Sequence, residues 1–92
     1  MVYLKIRRTK KERLILKHRL ITRLGGCCVD CGYSGHLAAL DFDHRDPTQK
    51  KFQLAKGLTE YSILDCEIEA DKCDVRCANC HRIKTHPDAT IQ

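Results

Sequence analysis

Three stretches of this 92-residue chain hold residue types whose spacing suits chemistry. Cys28-x2-Cys31 and Cys77-x2-Cys80 are two cysteine pairs at the separation that lets one tight turn present two thiolates to a single ion. Together they predict a closed, tetrahedral four-cysteine site for structural zinc, with no coordination position left for substrate. The 45 residues between Cys31 and Cys77 would be enclosed between the two metal-bound turns, and folding should depend on the ion. Cys27 offers a competing Cys27-x3-Cys31 pair, although the two-residue gap suits a knuckle turn better. Cys66 and Cys73 are left over, and Cys73 alternates with Val75 and Cys77 as a buried small hydrophobe would. A redox use of either CxxC would need a βαβ context that the flanking pattern lacks.

The third stretch, Asp43-His44, sets a carboxylate beside an imidazole, and His81 directly follows Cys80. Adjacent helix residues point ~100° apart, so with Cys80 facing zinc, His81 can face the strand that carries Asp43. The two would seat a second divalent ion with positions open to phosphate oxygens and water. His44 could then take a proton from water attacking a phosphodiester, because a neutral imidazole with an unperturbed pKa of ~6.5 suits that task near neutral pH. The plainer alternative makes Asp43 and His44 an exposed strand end and His81 a cap or the partner of a nearby acid.

These residues need elements to position them. The apolar residues Leu14, Ile15, Leu16, Leu20, Ile21 and Leu24 fall mostly at helical spacing, and Gly25-Gly26 ends the pattern, which predicts an amphipathic helix with a basic outer face from Lys10 to Leu24. Residues 27–35 should form the metal-binding turn, Leu37 to Phe42 a strand delivering Asp43 and His44, and 48–60 a loop. Ile63 to Ile68 is read as a short helix or irregular segment, Lys72 to Cys77 as a second strand and Ala78 to Thr85 as a helix.

Charge is divided unevenly. Residues 1–24 hold nine of the 17 Lys and Arg but one acid, Glu12, whereas the other 68 residues carry eight bases and eleven acids. An arm of Lys5, Arg7, Arg8, Lys10, Lys11, Arg13, Lys17, Arg19 and Arg23 has the electrostatic footprint of a phosphate-backbone binder, or of a solvated helix face. No apolar run approaches the ~18 residues of a membrane span. The early charges of MVYLKIRRTKKER do not fit a secretory signal, so a cytoplasmic protein with reduced thiols is expected. At this length a core alone seldom yields more than ~3–5 kcal/mol, which is a further reason to expect a metal staple.

The order CVDCG, LDFDHRDP, KCDVRCANCHRIKTH resembles the HNH endonuclease family, in particular the small zinc-stapled HNH proteins common in bacteriophages, over about Leu24 to His86. The resemblance implies a ββα-metal finger in which His44 is the general base, Asp43 and His81 ligate the divalent metal, and Cys28, Cys31, Cys77 and Cys80 bind zinc. It also implies cleavage to a 5′-phosphate and a 3′-hydroxyl. The family's middle asparagine commonly lies five residues ahead of the third zinc cysteine; here that position is Lys72, while Asn79 lies inside the CxxC. His86 is five residues past His81 and is a candidate auxiliary ligand or phosphate contact.

The sequence thus predicts an α+β protein, with a basic arm and helix over 1–24 and a zinc-stapled HNH domain over 25–92. The expected activity is metal-dependent DNA endonuclease with structural Zn²⁺ and catalytic Mg²⁺ or Mn²⁺, in a bacteriophage-infected host by resemblance. Phosphates would be gripped by the arm together with Arg45, Arg82 and Lys84, contacts that carry no base information. The rival reading is a non-catalytic zinc-finger nucleic-acid-binding module.

Overall fold

The computed structural model describes residues 6–91. Its first helix, α1 (Lys10–Arg23), starts where the sequence supplies a reciprocal cap. Thr9 Oγ1 accepts from the Glu12 backbone at 3.2 Å, and the Glu12 carboxylate accepts from the Thr9 backbone at 2.9 Å. The helix buries Leu16, Leu20 and Ile21. Leu14 and Ile15, expected in the apolar stripe, are exposed instead. Gly26, at φ 80°, sends its N–H back to the Ile21 carbonyl and turns the chain out of the helix.

The expected first strand begins later than its apolar run suggests. Leu37–Ala39 form a single 3-10 turn because the His36 imidazole Nδ1 accepts from the Ala38 N–H, and β1 covers Leu40–His44. It pairs antiparallel with β2 (Cys73–Cys77), with Leu40 opposite Cys77, Phe42 opposite Val75 and His44 opposite Cys73. By alternation those six residues share one face of the two-stranded sheet, while Asp41, Asp43, Asp74 and Arg76 share the other. Three helices complete the order: α2 (Leu54–Glu60), α3 (Ile63–Ala70) and α4 (Ala78–Thr85), the last entered directly from β2. The result is a small α+β protein with four α-helices among the described residues.

Two buried clusters form the core. One joins Leu16 and Leu20 of α1 to Leu54, Leu58, Cys66, Ala70 and Cys73; the other joins Ile21 to Cys28, Leu40, Val75 and Cys77, and Leu24 and Phe42 pack against both. The helix α2 lies within the stretch expected to be a loop. Its signal, Leu54 and Leu58 at i,i+4, is interrupted by Gly57, a poor helix former. Packing explains that glycine. A Cβ at residue 57 would run into Phe52 Cε2, and the Phe52 ring is itself held edge-on against Tyr61 at a centroid distance of 4.4 Å.

Gly57→Ala would gain ~1 kcal/mol in an unconstrained helix. Here it should cost ~1–3 kcal/mol through overpacking. The penalty should shrink in a Phe52→Ala background, measured by urea unfolding of the two single variants and the double variant.

Candidate metal centre and cleft

The four paired cysteines come together from opposite ends of the chain. After α1, the Cys28 N–H bonds the Tyr33 carbonyl and the Gly32 N–H bonds the Cys28 carbonyl, both at 2.9 Å, closing a knuckle whose Gly32 sits at φ 80°. The Val29 N–H docks this knuckle on the Val75 carbonyl of β2. At the other end Cys77 closes β2 and caps α4, its sulfur accepting from the Cys80 backbone at 3.4 Å. The ligand atoms of Cys28, Cys31, Cys77 and Cys80 all lie within 4.8 Å of one another. Cys31 and Cys77 Sγ are 3.7 Å apart, against the ~3.8 Å edge of a tetrahedron with ~2.3 Å Zn–S bonds.

The electrostatics agree with a metal-binding role. Burial alone would push the Cys28 thiol up, but N–H groups of Cys77, Cys31 and Asp30 outweigh it and bring the thiol down to about 6. The Cys77 and Cys31 sulfurs beside Cys80 push its thiol up. Four such thiols ionise together only with a cation among them, so the donor set fits a dication such as zinc. Cys27 is half-buried and stands outside the cluster. Cys66 and Cys73 are buried hydrophobes, with the Cys73 thiol pushed up to about 12 by burial and then by the Glu69 charge.

On the outer sheet face, α4 lays His81 over two aspartates. His81 Nδ1 is 3.0 Å from Asp41 Oδ2, and Nε2 is 3.6 Å from Asp43 Oδ1. Two donors at that separation can both reach one ion at ~2.1 Å each. Asp43 Oδ2 also accepts from Arg76 Nη1 and Lys84 Nζ, each at 2.7 Å. Burial would raise the Asp43 carboxyl, but Lys84 first, then His81 and Arg76, hold it below its usual range. Arg76 is nearly buried and bonds Asp30 at 2.8 Å as well, offsetting the repulsion between Asp43 and Asp74, directly opposite in the ladder.

His44 turns to the inner face. Its Nε2 lies 2.7 Å from Glu69 Oε2, and Glu69, 1% exposed, also accepts from the backbone N–H of Lys51 at 2.9 Å and from Lys72 Nζ at 2.8 Å. Lys72 Nζ further donates to the Gln49 carbonyl at 3.0 Å. Adjacent in sequence, Asp43 and His44 therefore use opposite faces of the strand. A cleft of about 460 Å³ along β1 nevertheless gathers Asp41, Asp43, His44 and His81, with Lys17 and Lys50 at its walls.

The other residues expected to bind phosphate divide by whether they have internal partners. Arg8 donates to the Gly57 and Leu58 carbonyls and so ties the segment before α1 to α2, while Arg13 donates locally to the Arg8 carbonyl. The Arg45 guanidinium donates to the carbonyls of Asp71 and Cys73 and pairs with Asp74. Arg7, Lys10, Lys11 and Arg82 are exposed, Lys84 holds Asp43, and Lys5 lies outside the described residues. His86 ends α4 and lines a shallow groove with Asp41 and His81. Reading the sequence missed Asp41, Glu69 and Arg76. Asp41-x-Asp43 is a same-face strand spacing that could have revealed the first; nothing local marks the other two.

Comparison with known protein families, characterised proteins and solved structures finds no match to this chain.

Purified protein should carry one tightly held zinc per chain. Because Cys28 and Cys77 are also core residues, chelation should unfold the domain rather than merely loosen a turn. Metal analysis with circular dichroism before and after chelator checks this; cooperative unfolding unchanged in metal-free protein would contradict it.

Proposed function

We propose that this chain is a metal-dependent DNA endonuclease of the HNH type, with β1, β2 and α4 as its ββα-metal finger. The observation that carries this reading is the meeting of Asp43 and His81 across β1 and α4, one residue beyond the four-cysteine cluster, in a cleft that His44 also lines. Asp43 and His81 would hold a divalent ion, Asp41 bonds the His81 ring that faces Asp43, and Lys17 at the cleft wall would meet a phosphate. When bound, Mg²⁺ or Mn²⁺ supplies positive charge to the phosphate oxygens and the departing 3′ oxygen. His44 would take a proton from the attacking water as its oxygen bonds to phosphorus and the bond to the 3′ oxygen breaks; the departing 3′ oxyanion takes a proton from solvent water, giving a 5′-phosphate and a 3′-hydroxyl.

One observation favours the rival reading, a zinc-stapled nucleic-acid-binding module. Asp43 already has two cationic partners, Arg76 and Lys84, and an ion pair of that kind needs no metal. The two readings separate in a plasmid assay with added Mg²⁺, Mn²⁺ or EDTA. His44→Ala should keep zinc, fold and DNA affinity but lose ~10²–10⁴ in cleavage rate. Asp43→Ala and His81→Ala should be partly rescued by high Mn²⁺. Wild-type protein that binds DNA but leaves it intact under every metal condition would favour the binding module.

DNA affinity should fall steeply with salt. Replacing exposed Arg7, Lys10 and Lys11 by glutamine should flatten the log–log slope by ~0.9 for each phosphate contact removed. Arg8→Gln should instead lower the melting temperature, since its guanidinium holds α2 carbonyls. Equal slopes for the triple variant and the wild type would show that the arm is not the anchor.

A further inference from the structure

Glu69 is the only buried charged side chain among the described residues. An ionised carboxylate is costly to bury unless its oxygens are bonded, and this one has three donors: Lys72 Nζ on Oε1, and the Lys51 N–H with His44 Nε2 on Oε2. Burial alone would raise the Glu69 carboxyl, but the Lys72, Lys51 and His44 bonds outweigh it and hold the group at about 2. Glu69 is thus an acceptor only, and the hydrogen between it and His44 belongs to the imidazole Nε2. The other ring nitrogen has no bonded partner among the described residues. No fully buried side-chain nitrogen or oxygen there lacks a partner, so Nδ1 is not sealed from solvent, and His44 is among the residues lining the cleft.

From this geometry we infer that Glu69 is a positioning residue that fixes His44 as its Nε2–H tautomer and leaves Nδ1 to take the proton from water. Lys72, standing where HNH proteins commonly carry asparagine, acts one step further back. It ties Glu69 to the Gln49 carbonyl in the connection that follows β1 and so holds the carboxylate against the ring. The inference rests on the nuclease reading for its catalytic consequence but not for the tautomer itself, which can be measured directly.

Imidazole nitrogen NMR on ¹⁵N-labelled, zinc-loaded full-length protein should show His44 protonated at Nε2 and not at Nδ1. Rapid exchange between tautomers, or protonation at Nδ1, would overturn the inference. Glu69→Gln removes the charge and lets an amide N–H face the ring. It should lower the melting temperature, since the donors lose a buried charge, and it should lower the plasmid-cleavage kcat of the folded protein by ~10² or more with KM for DNA and zinc content near wild type. Lys72→Met should cause a smaller kcat loss of the same kind, and it carries the kinetic test if Glu69→Gln does not fold. An unchanged kcat in a folded Glu69→Gln, or a loss confined to KM, would overturn the positioning role. Wild-type protein that shows the Nε2–H tautomer but cuts no DNA would sink the nuclease reading and, with it, the catalytic half of this inference, while the Glu69–His44 arrangement would stand.

Discussion

The four-cysteine cluster is the constraint on which the rest of the molecule depends. Cys28 and Cys77 are ligand candidates and core residues at once, packed with Ile21, Leu40 and Val75. An ion held there joins the turn after α1 to the junction of β2 and α4, so it fixes the start of α4 to within one turn of His81. Small zinc domains draw ~10–16 kcal/mol from such a site. That exceeds the ~3–5 kcal/mol that a core of this size supplies, so an ion at this cluster would be the larger source of stability.

Strand alternation distributes the chemistry. One step along β1 takes the chain from Asp43, facing α4, to His44, facing α3. The outer carboxylates meet His81, Arg76 and Lys84; the inner imidazole meets Glu69 and, through it, Lys72. Residues of both faces, Asp41 and Asp43 from one and His44 from the other, reach a single cleft because it is lined by the whole of β1, the strand's two faces meeting along its unpaired edge.

The cations have two fates. Arg8, Arg13, Arg45 and Arg76 are tied to internal carbonyls or carboxylates, and Arg23 pairs with Glu67 and Asp71 through a bidentate contact. Arg23 thereby joins α1 to Glu67 of α3 and the Asp71 that follows it, Arg8 joins the segment before α1 to α2, and Arg45 and Arg76 offset carboxylates beyond residue 24. Arg7, Lys10 and Lys11 remain exposed, and Lys17 stands at the cleft wall. The positive balance of the amino-terminal segment is therefore less available to a ligand than its count suggests.

By itself the sequence determined what depends on neighbours in the chain: the capped helix ended by glycine, the two CxxC knuckles, the second strand, and the helix that follows it. It also placed His81 toward the strand pair, because ~100° per residue separates it from Cys80. Only tertiary structure decided the partners from distant segments. Gly57 hid α2 because the Phe52 ring that makes a glycine necessary lies outside the helix. Glu69 and Arg76 carried no local mark because a buried charge is defined by the donors brought to it across the fold, and Lys51, His44, Asp30 and Asp43 meet them only once α3 and the sheet have packed. Local rules set the elements; which carboxylate faces which imidazole depends on long-range packing, and burial makes that choice energetically decisive.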